Sequence, residues 1–495
     1  VKPAIRLRTG AALALALAGL AGCAVGPEFH APTLSDGIRY RADRGPGATS
    51  SAPVAVAGSV QRYVQGMDIP GQWWTLFRSP QLNAVVAHAL ANNPSLAAAH
   101  ASLRAAREQA KASAGALWPS LSASFNPTRN KTSKALSPVP GNNAYLYNLH
   151  TAQLNVSYTP DLWGGIRRQV ESDKAAADLR RFELEATYLT LTSNVVNAAI
   201  AYASVKAQIA ATEEIIASQH KLLVSLQGQQ GVGGAALKDV GSQQLALAQA
   251  QAGLPGLQQQ LAAAHDQIAA LCGDMPDAPT PDFDLAEFHL PDDLPVSLPS
   301  RLIEQRPDVK SAESTMHDYS ALIGVAIANR LPNVQLTATP GIAVNQMSQF
   351  FTGGFGNWTL AAMMTQPLFQ GFQLLHLERA ARRNFENAAA QYRDTVIGAM
   401  QDTADSLHAT ETDADAVRLT AEQARAAAEN LRITKAQLGL GDVSAVTLLT
   451  AQQVDAQARL ALVQAEASRF SDTVGLFQSL GGGWWNRNDV GNDLK

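Results

Sequence analysis

Any reaction chemistry in this chain would have to come from its carboxylates, its ten histidines or its two cysteines, and their spacing supports almost none of it. Asp292-Asp293 comes closest to a paired acid–base set. It sits in "LPDDLP", and Leu-Pro on both sides marks a solvated turn in a linker. Glu213-Glu214, Asp413 and Asp415 fall within long helical stretches and read as solvated or channel-facing charges. No two histidines stand four residues apart, so no helical metal pair exists. The chain has no phosphate-cradling Gly-Lys-Ser/Thr loop, no HExxH, no CxxC and no GxSxG. Cys23 is the exception, because the residues before it form a processing signal. Lys2, Arg6 and Arg8 make a positive front, Ala11–Leu20 an apolar run, and Leu20-Ala21-Gly22 a small-residue cleavage site. Ten residues of helix rise only about 15 Å, half the hydrocarbon core of a bilayer, so this run is a signal and not a span. Once it is removed, Cys272 has at most one possible partner, too few for a disulfide framework.

Leu-Ala-Gly-Cys resembles the lipobox of bacterial lipoproteins. That resemblance implies a diacylglycerol on the Cys23 sulfur, cleavage before it and acylation (palmitate) of the new amino group. More than one acyl chain gives stable attachment where one is marginal. Ala24 follows, and the absence of Asp there implies passage to the outer membrane. The bland alternative is an ordinary signal with a chance Cys after the cut.

Composition narrows the architecture. Aromatic residues are 6% and charged residues 16%, with Ala and Gln plentiful, which suits long helices packed through small side chains. A net charge of −4 and pI near 6.2 give no sign of a nucleic-acid partner. No run of eighteen apolar residues occurs, so membrane entry would require a closed barrel of strands.

The chain is written twice. "NNPSL" at 92–96 is echoed by "QRPDV" at 305–309, and "LWPSLSAS" at 117–124 by "RLPNVQLT" at 330–337. Pro94 pairs with Pro307, Pro119 with Pro332, Pro160 with Pro367, Gly164 with Gly371 and Gly233 with Gly441, at nearly constant offset. Ordered self-similarity over such a period indicates a duplicated unit. Each unit reads as a medium helix (94–117, 307–331), two strands, a long helix (164–227, 371–438), a Gly-rich turn and a last helix (239–271, 444–480). The long helices would each extend about 100 Å at 1.5 Å per residue. Gly253 and Pro255 predict a kink in the last helix of the first unit. Residues 32–62, rich in Ala, Gly, Pro and Ser, read as a strap of low order.

The strands alternate. Ala152, Leu154, Val156 and Tyr158 oppose Thr151, Gln153, Asn155 and Ser157; Leu121, Ala123 and Phe125 oppose Ser120, Ser122 and Ser124. Val334, Leu336 and Ala338 oppose Gln335, Thr337 and Thr339, while Trp358, Leu360, Ala362 and Met364 face a less polar set. Such segments suit a transmembrane barrel with a wet lumen, and Trp118, Tyr158, Trp163, Trp358 and Phe369 suit its interfacial girdles. The competing reading is a soluble sandwich burying one face. Four strands cannot close a barrel, so a barrel requires several copies.

"CAVGPEF", "WWTLFRSPQLNAVVAHALANNPSL" at 73–96, "RPDV", "SYTPDLWGG" at 157–165, "QPLFQGF" at 366–372, "GLGDVSAVTLLTAQQ" at 439–453 and "LGGGWW" at 480–485, taken in order, resemble a TolC-type outer-membrane factor. They are most similar to the lipoprotein components of resistance-nodulation-division efflux systems. The resemblance implies a mainly α chain with a β-barrel portion. Each protomer would give four transmembrane strands and long helices to a homotrimer, making a 12-stranded β-barrel joined to a 12-helix periplasmic α-barrel. It also implies a periplasmic adaptor and an inner-membrane pump as partners, outer-membrane lipid around the barrel, no reaction chemistry and no cofactor beyond the lipid on Cys23. The layout it implies is a lipoprotein signal over 1–22, an anchor and extended linker over 23–72, a first repeat over 73–283 with strands near 119–128 and 149–160, and a linker over 284–297. A second repeat would span 298–482 with strands near 333–345 and 356–367, ahead of a tail over 483–495.

The loops 130–148 and 346–357 should then face the outside medium, and the turns 231–239 and 439–444 should form the far tip. The resemblance makes Gly233, Gly441 and Asp442 the adaptor contacts of that tip. Glu429, Arg432 and Lys435, one turn apart, are candidates for a periplasmic gate; an ordinary surface ion ladder is the alternative. Seven Met and dispersed His give no soft-metal ladder, favouring organic cargo over copper or silver. A type I secretion-type duct for peptides or proteins, a lipid-anchored helical scaffold without a pore, and a periplasmic enzyme are the other readings.

Overall fold

Prolines set the helix starts. Helix α1 (Pro80–Asn92) is capped by Ser79, whose Oγ accepts from the Leu82 N–H at 3.3 Å, and α2 runs Pro94–Ala114. The second repeat matches them with α5 (Pro299–Gln305) and α6 (Pro307–Ala328), each with Pro at a first position where its missing N–H is harmless. The long helices are α3 (Gly165–Gly231) and α7 (Gln373–Leu440), of 67 and 68 residues; each turns back into α4 (Leu237–Cys272) or α8 (Ala445–Ser479). This computed structural model describes residues 24–33, 39–41, 46–131, 146–297 and 299–487. The signal segment, Cys23, most of the loop expected outside between the first strand pair, and residues 488–495 of the tail lie outside the described residues.

The chain forms two compact units, each taking pieces of both repeats: Val1–Ala31 with Ser102–Arg180 and Ala312–Tyr392, and Pro32–Ala101 with Arg181–Ser311 and Arg393–Lys495. The first holds one antiparallel sheet of β2 (Ser120–Lys131), β3 (Leu146–Tyr158), β5 (Asn333–Val344) and β6 (Gly356–Thr365), in the order β2-β3-β5-β6. Pro119 and Pro332 immediately precede strands, and Pro160 and Pro367 follow them within two residues, where an absent N–H interrupts no ladder. Here too the N-terminal segment is seated. The Val25 N–H donates to Trp163 O at 2.9 Å, Arg168 Nε donates to Val25 O at 3.1 Å, and Phe29 stacks on His317 with centroids 4.4 Å apart. A Cβ at Gly26 would stand 2.5 Å from Gly324 Cα, so only glycine fits that contact.

The second unit is built on aromatic packing: Trp73, Phe77, Phe283, Phe470 and Phe477 are fully buried, with Trp73 stacked on Phe477 at 5.5 Å. Two expectations are corrected in this unit. The longest described part of the supposedly loose strap, residues 46–62, is ordered around a buried cation. Arg469 on α8 is 0% exposed and donates to Ala57 O (2.6 Å), Ser59 O (2.8 Å) and Thr49 Oγ1 (2.9 Å). The Asp292-Asp293 turn is instead the start of a strand. β1 (Arg62–Gln65) pairs in parallel with β4 (Asp293–Val296), and Arg62–Asp293 (2.9 Å) and Arg78–Asp292 (2.8 Å) hold the two carboxylates. Helix α4 runs without a break through Gly253 and Pro255. Pro255 lies exposed, with long helical stretches on both sides to carry the loss of one backbone bond.

Candidate functional site

The sheet has two chemically distinct faces, and the register creates them. Leu121 pairs with Val156, Ala123 with Leu154 and Phe125 with Ala152; Ala152 pairs with Ile342, Val156 with Ala338 and Tyr158 with Leu336. Val334, Leu336, Ala338 and Pro340 then meet Met364, Ala362, Leu360 and Trp358. Side chains alternate along a strand, so all these residues share one face. It is bare: Trp358 is 77% exposed, Leu360 73% and Leu121 68%. On the opposite face Gln153 Nε2 donates to Asn155 Oδ1 (2.9 Å), Asn155 to Ser124 Oγ (3.3 Å) and Gln335 to Ser157 Oγ (3.2 Å). Ala361 and Met363 interrupt that polar face on β6.

Residues 331–377 contain no Lys, Arg, Asp or Glu, and an Arg330–Glu378 ion pair brackets them. Hydrogen bonding from Arg382, joined by Arg330, holds the Glu378 carboxyl below the ordinary range. Trp118 and Phe369, at the helical end of the strands, are exposed, while Trp163 Nε1 donates to Pro332 O at 2.7 Å. Strands β2 and β6 stand at the edges of the sheet with a neighbour on one side only.

The two turns at the other end of the long helices share one geometry. The Gly233 N–H donates to Gln230 O (3.0 Å) and the Gly234 N–H to Gln229 O (2.7 Å). In the second repeat Gly441 donates to Leu438 O (3.1 Å) and Asp442 to Gln437 O (3.0 Å). This is the Schellman stop, with Gly233 and Gly441 at φ of 80° and 82°, where L side chains are strained. The turns neighbour one another, because Ala235 and Ala445 both pack against the cluster of Leu223, Leu226, Val240 and Leu247. Of the gate candidates, Glu429 and Arg432 meet in a two-pronged pair (2.7 and 2.8 Å), and Lys435, a turn further on, is exposed. The bond from Arg432 holds the Glu429 carboxyl below its usual range.

Several charged groups escaped sequence reasoning because nothing local marks them. Arg469 is one. Another is Arg487, which pairs with Glu185 at 2.7 Å and lies 3.5 Å over the Tyr188 ring. Burial pushes Glu466 up to about 7. Asp413, expected to be a solvated or channel-facing charge, is instead half-buried, and burial with a hydrogen bond to Asp472 raises its pKa. Among the described residues no three His, Cys, Asp or Glu gather to hold a metal, and no helix is long and apolar enough to cross a membrane.

A family profile described as outer membrane efflux protein matches residues 85–274 and 298–482, most of the chain in two blocks. The chain belongs to the outer membrane efflux protein family. Its relatives include the antibiotic efflux pump outer membrane protein ArpC of Pseudomonas putida, 26% identical over 479 residues, 96% of this chain and 95% of the relative. The outer membrane protein OprJ of Pseudomonas aeruginosa is 26% identical over 478 residues, again 96% and 95%. Among solved structures, the outer-membrane channel OprN matches with a TM-score of 0.83 at 24% identity, over 93% of this chain and all of that one. The Campylobacter jejuni CmeC channel matches at 0.84 and 22%, over 95% and 98%. The fold is therefore that of the TolC-type channels, as the motifs suggested. The protein is an outer-membrane efflux duct, of a family of channels and not of enzymes. Its place is the outer membrane.

Proposed function

We propose that three copies of this chain close a 12-stranded β-barrel and a 12-helix α-barrel, forming the exit stage of a tripartite pump for small toxic organic compounds. The observation that carries this reading is the four-stranded sheet with an apolar face, a polar face and two edges. Unpaired edge groups have no hydrogen-bond partners in hydrocarbon, so a sheet that lies in a membrane must close, and about eight strands are the minimum. Three copies pair β2 of one with β6 of the next. The polar face then lines a wet lumen, and the apolar face meets lipid.

In that assembly the Gly233 and Gly441 turns, with Asp442, meet a periplasmic adaptor, which couples the duct to an inner-membrane pump. Glu429, Arg432 and Lys435 narrow the resting channel near the tip. A diacylglycerol and an acyl chain on Cys23 anchor the amino terminus, and the seat of residues 25–29 against Trp163, Arg168 and His317 keeps that anchor next to the sheet. The cargo class follows from the ArpC relative, whose description names antibiotics, and from the lack of a soft-metal ladder. The test is single-channel recording on purified protein in planar bilayers, with native mass spectrometry of the same sample. Trimers and discrete conductance steps are expected; monomers that form no pores would leave a lipid-anchored scaffold.

A further inference from the structure

The loop joining β5 to β6 behaves unlike an aqueous loop. Residues 345–357 include no Lys, Arg, Asp or Glu, and Met347–Phe351 wind into a short 3-10 helix. Part of its polar inventory is satisfied internally. Gln349 Oε1 accepts from the Asn345 N–H (3.2 Å) and the Gln346 N–H (3.1 Å), and Thr352 Oγ1 donates to Gln349 O (2.7 Å). Its outward side chains include large apolar ones, Phe351 at 99% exposed and Met347 at 56%, among the uncharged Asn345, Gln346, Ser348 and Thr352.

The direction in which this loop folds can be read from two contacts. Phe350 packs edge-on against Phe125 with centroids 5.9 Å apart. Phe125 lies on β2, and β3 separates it from β5, so the loop crosses about two strand spacings, near 10 Å, to reach it. Phe125 belongs to the apolar face, and so does Val344, which is 1% exposed although most of that face is bare. The loop therefore lies over the apolar face and not over the polar one. Beyond Phe125 the same face of β2 continues to Arg129 and Lys131, cations that suit the level of lipid phosphates. The 3-10 helix is thus level with the edge of the acyl chains, just beneath the charged layer.

We propose that Met347–Phe351 is an outer-leaflet anchor, which inserts Met347 and Phe351 among the acyl chains bordering the barrel. The occupant is lipid hydrocarbon because this surface continues the lipid-facing side of the sheet and offers no charge to a headgroup, to water or to a polar partner. The inference rests on the sheet's apolar face meeting lipid. It adds that the second hairpin is fixed to the membrane at its tip, whereas the first carries cations there.

The test is site-directed fluorescence on the full-length protein in liposomes. Phe351→Cys, Leu360→Cys and Thr359→Cys, each in a Cys272→Ser background, are labelled with bimane and exposed to acyl-brominated phosphatidylcholine or to aqueous iodide. Leu360 marks the apolar face and Thr359 the polar one. Labels at Phe351 and Leu360 should be quenched several-fold more by brominated lipid than the label at Thr359, with the order reversed for iodide. Quenching at Phe351 by iodide alone puts the loop in water and overturns the proposal. Quenching by neither agent means that a neighbouring copy covers it, and also overturns the proposal. Loss of lipid quenching at Leu360 would remove the membrane reading itself, and the anchor with it.

Discussion

Placing an arginine on one face of the sheet and then on the other tests which side meets lipid. Leu360 is the fifth of ten residues in β6, 73% exposed and opposite Ala338 on the apolar face. Near the middle of the strand, a guanidinium there stands close to the bilayer midplane, at a cost of about 2–4 kcal/mol. That is roughly 30- to 900-fold per protomer in the folding equilibrium. In the proposed trimer the three substitutions act on one barrel and sum to about 6–12 kcal/mol if they are independent. Thr359, the preceding residue, projects to the polar face opposite Thr339. Thr359→Arg enters water in the lumen and should cost no more than about 0.5 kcal/mol, as at other solvated positions. The assay is the folded oligomer fraction recovered from outer membranes, backed by urea titration of protein refolded into vesicles. Leu360→Arg should lose most of that fraction and Thr359→Arg little. Equal losses would refute the two-face argument, and a larger loss for Thr359→Arg would invert the faces.

At the tip, no atom lies within 4 Å of a Cβ built on Gly441, so Gly441→Asn should fold normally while Gly441→Val costs about 1–2 kcal/mol in the left-handed backbone. Weaker adaptor binding by the Asn variant at unchanged melting temperature marks a true contact; unchanged binding leaves Gly441 a helix stop only. Glu429→Ala with Arg432→Ala should raise single-channel conductance and admit large antibiotics without a pump, and an unaltered conductance would assign the pair to a solvated surface. Burial holds Glu466 protonated up to about 7, whereas the unfolded chain releases that proton near 4.5. Stability should therefore fall as pH rises from about 4.5 to about 7, by on the order of 3 kcal/mol, and stay flat above. Glu466→Gln should remove that slope in urea titrations, and an identical slope in the variant would show that another group causes it. Cys23→Ser should abolish labelling by radioactive fatty acid, and retained label would sink the lipid assignment.

The strands were legible because a half-exposed sheet must alternate, and Leu121–Phe125 or Thr151–Tyr158 keep that alternation whatever surrounds them. The long helices were legible through the repeat, which fixed their pairing before any helix end was known. The contents of residues 46–62 were hidden, since small residues read as disorder unless their anchor is visible, and Arg469 lies more than 400 positions away. The Asp292-Asp293 pair misled for the same reason: its strand partner, Arg62–Gln65, has no local signature. Pro255 does not end its helix, because long helical stretches on either side outweigh the one backbone bond it removes. At the tip the glycines announced their backbone role, but the neighbourhood of the two turns depends on Leu223, Val240 and Ala445 meeting across different helices.

Duplication gave both repeats one scaffold, and their differences fall at its two ends. Gly233 and Gly441 stop their helices with the same pair of hydrogen bonds, yet the next residue is Gly234 in one turn and Asp442 in the other. The positions matching Glu429 and Arg432 in the first repeat are Lys221 and Val224, so the two-pronged ion pair is confined to the second. The strand hairpins diverge as well, with Arg129 and Lys131 on the first and a charge-free aromatic loop on the second. In the proposed trimer, backbone geometry at the tip repeats six times while carboxylates and ion pairs repeat three times. An adaptor ring that docks through backbone and small side chains meets six near-equivalent turns, and one that reads charge meets three. Gly441→Asn and Glu429→Ala separate these cases: the first perturbs a feature shared by both repeats, and the second a feature only one of them carries.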